Sequence, residues 1–326
     1  MKQDKLSNLQ IYGKTLPIFL LGFVIDLFAL AIMAGTGTGG YFIFGGNGGM
    51  AIFGLIIGLV VGGVLAFLFS AFVGNIFHAA AIAITEKALL ENTVDKPVVS
   101  NGLKLAKSRF GSITGFFFLS SGIKAAFRQL GRAITGFGGA VGGQAGSSVG
   151  GAIDSAIQSL VGYLSDCCLA WVFYRSDSPM GKSAVEGCAI FFRSGKTFAR
   201  NAGRIFGISF ASFIVIGGAL FGLYYLLTYL NPGMLKPLTD TFAGFADDQG
   251  NPLPEFFTNP YLLGILAAGL AALINWSIFH TAFVKPFILV GVMRNFLKTG
   301  LEQAPTEAEV EHVKSISPRI SRFENR

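Results

Sequence analysis

The chain has 326 residues, of which 52% are hydrophobic and 13% charged, with a formal net charge of +7. A soluble domain carries about a quarter of its residues as charges, so this composition excludes an ordinary soluble globular protein and points to a helical membrane protein. The basic residues flank apolar runs and form no polar domain of their own, which leaves topology and anionic lipid, not nucleic acid, as what the positive charge serves.

Lys2, Lys5 and Lys14 mark a short polar leader, followed by an apolar run over 16–34. At ~1.5 Å of rise per residue, that run matches a hydrocarbon core ~30 Å thick. Ala29-Leu30-Ala31 also fits the small-residue pattern of a cleaved signal peptide, but Asp26 interrupts the apolar region such a peptide needs. Residues 35–49 read as an uncharged tight turn. The second span, 50–74, carries Gly54, Gly58 and Gly62 four apart, a helical face on which another helix can approach closely. Its apolar pattern runs on through Ile84 and meets a charged segment over 85–109.

The third apolar segment, 110–127, carries Lys124 and leads to Arg128 and Arg132, a cationic stripe with a period of four. It reads as a span whose lysine snorkels, or as a re-entrant or surface helix. A glycine-rich stretch over 136–151 follows, as a loop or as a small-residue helix. The fourth span, 156–174, holds Asp166, and spans five and six cover 205–230 and 261–284. A charged tail over 301–326 reads as solvated. The expected fold is all-α: a polytopic transmembrane helix bundle over 1–300 with about six spans.

Between spans four and five, residues 191–204 form a basic amphipathic helix. Arg193, Lys196, Arg200 and Arg204 recur every three or four residues and share one face, while Phe191, Phe198, Ala202 and Phe206 share another. Such a helix lies along the membrane surface and contacts anionic phospholipid headgroups. The leader, the two long basic loops and the C-terminal region carry 21 of the Lys and Arg residues, against 3 on the opposite side. The positive-inside rule then places both termini in the cytoplasm, in the inner membrane if the cell is bacterial.

Few residues carry chemistry. Asp26 and Asp166 each fall about eleven residues into a span, hence near mid-depth, where charge is costly. Two readings stay open: they line a solute or ion pathway, or they hydrogen-bond a neighbouring helix and fix packing. Ile76-Phe77-His78-Ala79-Ala80 is echoed by Ile278-Phe279-His280-Thr281-Ala282 at the basic ends of spans two and six. His78, His280 and Lys124, the one basic residue inside a span, are secondary pathway candidates. Neither histidine has an evident nucleophile beside it, so no catalytic residue is assigned. Two histidines without clustered thiolates or carboxylates imply no metal, and no cofactor motif stands out. Ser194-Gly195-Lys196-Thr197 resembles the end of a phosphate-binding loop, but Ile190 stands where that loop needs glycine. Cys167 and Cys168 are adjacent and imply no disulfide.

Arg109-Phe-Gly111-Ser112-Ile113 with Arg128, then Ala184-Val-Glu-Gly187, Ser194-Gly-Lys196 and Arg200-Asn201-Ala-Gly-Arg204, resemble in order the membrane core of choline-transporter-like proteins. The likeness spans roughly residues 102–204 and lacks that family's large cysteine-bearing extracellular domain and its longer set of spans. The same segments resemble an uncharacterised group of prokaryotic multi-pass proteins. Either resemblance implies a membrane protein with a transport role. Two function classes therefore stand: a transporter or channel-like protein for a small solute or ion, and a non-catalytic scaffold or assembly subunit. Glycine-rich helix faces would join the latter to copies of itself or to other chains.

Overall fold

A computed structural model describes residues 5–45, 48–110, 115, 119–125, 146–193, 195–236, 239 and 259–316, and among these residues there are helices and no strand. Helix α1 (Asn8–Ile43) begins at Ser7, whose side chain accepts from the Gln10 N–H while the Gln10 side chain accepts from the Ser7 N–H. This reciprocal cap satisfies two of the donors that a helix start leaves open. The helix overruns both ends of the expected span and continues through the glycines of 35–40, where a turn was predicted.

The reason lies in α2 (Gly48–Phe69), which runs back antiparallel along α1. A Cβ on Gly54 would strike the Gly40 carbonyl, and one on Gly58 would strike the Thr36 carbonyl. Glycine costs a helix about 1 kcal/mol relative to alanine. The backbone contact that only glycine permits on both sides offsets that cost. The face carrying Gly54, Gly58 and Gly62 is filled by α1 of the same chain, so it is not open to a second chain.

Helix α2 passes through a π-helical turn, Ser70–Gly74, into α3 (Asn75–Glu91), which ends at Asn92 in the left-handed conformation. Then follow α4 (Val98–Phe110), α5 (Gly146–Tyr174), α6 (Met180–Arg193) and α7 (Gly195–Ser212). A second π turn, Phe213–Gly217, joins α7 to α8 (Gly218–Leu230). Helix α9 (Pro260–Phe279) is capped by the Asn259 side chain and leads through a third π turn, His280–Val284, into α10 (Lys285–Glu302). Helix α11 (Glu307–Ile316) completes the order.

Among the described residues, four continuous helical runs are long and apolar enough to cross a membrane: Asn8–Ile43, Phe53–Glu91, Arg200–Leu230 and Pro260–Glu302. The chain is a membrane protein. Half of the expected third span, 110–127, falls outside the described residues, as does all of 136–145, whereas 146–151 is already helical within α5. The expected fourth span also lies in α5. Its apolar stretch Leu160–Tyr174 is shorter than the four runs, and its side chains from Leu160 to Val172 are nearly all buried within the protein.

The chain divides into two compact units, Met1–Ile205 with Pro286–Arg326, and Phe206–Lys285. The core of the first is built from α3, α5, α6 and α10, with Ala79–Ala83, Cys167–Val172, Ala189–Phe191 and Ile288–Val290 all buried. Phe296 of α10 stacks on Phe191 at 4.5 Å between ring centroids and meets Trp171 edge-on. In contrast, Phe53, Val60 and Phe67 on α2 remain more than half exposed. An apolar surface of that extent belongs against lipid.

Two arginines close helix ends in this unit. Arg109, at the end of α4, donates to the carbonyls of Val172, Arg175, Ser176 and Ser178, where α5 stops. Arg193, at the end of α6, donates to the carbonyls of Thr299, Gln303 and Ala304, where α10 stops. Both satisfy carbonyls that a helix terminus leaves without partners, and a cation there also complements the helix dipole. The C-terminal region is not simply a solvated tail: α11 docks on α6, with Val313 buried and Glu309 lying 3.7 Å from Arg193.

In the second unit α8 packs along α9. Phe213, in its π turn, meets Trp276 edge-on at 5.1 Å. A ladder of rings, Phe221, Tyr225, Tyr229 and Tyr261, follows one edge of the hairpin.

Candidate functional site

The polar site of the first unit is assembled from α1, α3 and α5. Asp166 of α5 is 2% exposed, and its Oδ1 lies 2.8 Å from Nε2 of His78, whose side chain is 29% exposed. Asp166 lies between buried Ser165 and Cys167, whereas His78 stands where α3 passes from half-buried Ile76 and Phe77 to buried Ala79 and Ala80, so water is kept from the carboxylate side of the pair. Helical pitch places Gly74 one turn before His78 on the same face, about 6 Å along the axis. A side chain on Gly74 would come within 3.5 Å of Asp26 Oδ1. Asp26, His78 and Asp166 therefore follow one another along the first unit, and none of the three is unpartnered.

The same stretch of α5 carries two further hydroxyls, Tyr163 Oη and Ser165 Oγ, both buried without a hydrogen-bond partner among the described residues. One and a half turns beyond Asp166, α5 lines a cavity of about 390 Å³ with Trp171, Tyr174, Arg175 and Asp177, closed on the other side by Gly300 and Leu301. That is within the size of small-ligand sites. The Trp171 Nε1–H donates to the buried Glu186 carboxylate at 3.2 Å, and Arg175 approaches the same carboxylate at 3.5 Å. The wall of the cavity is thereby held in place. Composition and spacing drew no attention to it, because Trp171, Arg175 and Gly300 meet only through the packing of α5 on α10.

The other expected site residues fall as follows. His280 belongs to the second unit, where its Nε2 lies 3.0 Å from Ser209 Oγ and its ring lies 5.2 Å from that of Trp276. The sequence echo thus ends in two different environments, with a carboxylate at His78 and a hydroxyl and an indole at His280. Lys124 is half-buried, and among the described residues it makes no ion pair with Asp26 or Asp166.

Of the residues expected to touch anionic lipid, Arg193 is turned into the protein as the α10 end cap, contrary to that expectation. Its guanidinium is used on carbonyls that would otherwise stay unsatisfied. Arg200 is exposed, Arg204 is partly buried, and the Lys196 side chain lies outside the described residues.

A buried carboxylate paired with a partly exposed imidazole can hold one proton and pass it between a dry and a wet surrounding. Cys167, Cys168 and Cys188 are all free and buried, and Cys168 and Cys188 bring their sulfurs within 3.9 Å across α5 and α6. Among the described residues no group of three metal-ligating side chains converges. Compared with protein-family models, with curated proteins and with solved structures, the chain matches none.

Proposed function

We propose that this membrane protein moves a small solute or ion, and that His78 and Asp166 carry a proton linked to that movement. The observation that carries the reading is the 2.8 Å contact between a carboxylate sealed in the protein and an imidazole that is not. An ionised carboxylate inside an apolar bundle is costly, so such a group is retained where its charge state is used or is held by a partner. Asp26, exposed on α1 beside Gly74, continues the polar line outward, and the cavity along α5 supplies room for a small solute. The resemblance of residues 102–204 to the choline-transporter-like core favours the same class. The distribution of basic residues supports both termini facing the cytoplasm.

Flux in liposomes tests this reading. Purified protein should move protons, or an alkali or small quaternary ammonium cation, down an imposed gradient, followed with an internal pH-sensitive dye. Asp166→Asn and His78→Gln should each fold, as judged by helical content and a sharp gel-filtration peak, and lose at least tenfold of that flux. Absence of flux in the parent, or flux unchanged in both variants, would transfer the weight to the scaffold reading, in which the pair only fixes α3 against α5.

A further inference from the structure

Within the first unit, α7 and α10 meet at a cluster of nitrogen donors that outnumber their acceptors among the described residues. Asn201 on α7 is 1% exposed. Its Oδ1 accepts from Asn295 Nδ2 on α10 at 3.1 Å, yet its own Nδ2 is buried with no partner among the described residues. One turn along α7, the Nε–H of Arg204 is likewise buried and has no partner among the described residues. The Arg204 guanidinium lies directly over Gly291 of α10, where any Cβ would strike it. Arg294, one turn beyond Gly291, uses Nη2 on the Leu6 carbonyl and has further N–H groups to give.

The charges are as one-sided as the donors. Among the described residues, Arg204 feels the charge of Arg200 and Arg294 that of Arg204, both positive. Among the described residues no carboxylate forms an ion pair with Arg200, Arg204 or Arg294. Unpartnered buried donors and adjacent like charges are both unfavourable, and one kind of ligand relieves both. It must be anionic and offer more acceptor oxygens than a carboxylate, enough for two guanidinium forks and an amide. A phosphate group has that charge and that geometry.

We propose that Arg204, Arg294 and Asn201 form a phosphate-binding site between α7 and α10, with the exposed Arg200 at its mouth. Gly291 is the floor that lets the Arg204 guanidinium lie flat. The site stands at the start of the apolar run that begins at Ile205, the level at which a headgroup phosphate meets a span. A lipid headgroup and a free phosphate, or a phosphorylated solute, share this chemistry. The inference is independent of the proton-linked reading, since it uses none of the same residues.

Full-length protein in a neutral detergent tests it in two arms. In the first, thermal unfolding is followed in inorganic phosphate against sodium chloride of matched ionic strength. In the second, native mass spectrometry compares retention of phosphatidic acid and phosphatidylcholine of equal chain length. A rise in the unfolding temperature with inorganic phosphate identifies a site open to free phosphate, and selective retention of phosphatidic acid alone identifies a headgroup site. Either supports the assignment.

Arg204→Gln should weaken the positive signal about tenfold to a hundredfold, the cost of losing a charge-assisted hydrogen bond. Gly291→Ala should do the same by displacing Arg204 without altering charge, and Arg204→Lys should restore only part of the affinity. If wild-type protein shows neither preference, or if folded Arg204→Gln and Gly291→Ala bind as the parent does, the assignment is overturned. If both variants fail to fold, the wild-type preference over matched chloride and over phosphatidylcholine decides.

Discussion

At the scale of single residues, the arginines separate into those that close helices and those left with open donors. Arg109 spends its guanidinium on four carbonyls between 2.7 and 3.2 Å away, so its removal strands the end of α5. Arg109→Ala is expected to cost about 2–4 kcal/mol, and Arg109→Lys most of that, because one ammonium cannot reproduce the fork. Equilibrium unfolding of the detergent-solubilised protein measures both. Arg193 makes a parallel case with an internal control, since it also pairs with Glu309 at 3.7 Å. Glu309→Ala removes the ion pair and the Thr306 N–H contact to the same Oε2 at 2.8 Å, and should cost about 1 kcal/mol, whereas Arg193→Ala should cost clearly more because carbonyls lose their donor. Equal costs for the two changes would show that the ion pair, not the helix cap, is what Arg193 contributes.

At the scale of elements, the α1–α2 hairpin rests on backbone contact at glycines. A Cβ at position 58 meets the backbone of Thr36, which cannot swing aside as a side-chain tip can. Gly58→Ala is therefore expected to destabilise the hairpin by about 1–3 kcal/mol, the usual cost of overpacking. Gly63, where a Cβ would have a single neighbour at 4.0 Å, should accept alanine with little change. The pair of variants, compared by thermal unfolding in one detergent, separates close packing from general helix propensity, since alanine improves propensity at both sites. A result in which both variants gain stability would remove the packing explanation for the glycine run of α1 and α2.

At the scale of the whole molecule, topology is the open quantity. The asymmetry of Lys and Arg predicts that reporters fused after Asn47, Gly143 and Gln249 report the side opposite the termini. An inside signal at Gly143 with outside signals at the other two would mean that the stretch after α4 does not cross the membrane. That outcome would agree with the burial of Leu160–Val172 within the first unit, where α5 serves as core more than as a lipid-facing wall.

The class of the protein was determined by the sequence alone, because apolar length and charge depletion are sums over local composition and need no knowledge of contacts. The same holds for Asp26, Asp166, His78 and His280, each conspicuous as a polar group in an apolar run. Which of them meet was decided only by tertiary structure. His78 and Asp166 stand 88 positions apart, and no periodicity links them. The glycines of 35–40 looked like a turn since glycine is a local helix breaker, and only the close approach of α2 makes a helix the lower-energy choice. Charge spacing likewise grouped Arg193 with Arg204 on one helical face. In the fold Arg193 caps the end of α10 while Arg204 lies over Gly291, beside donors that the sequence could not show to be buried.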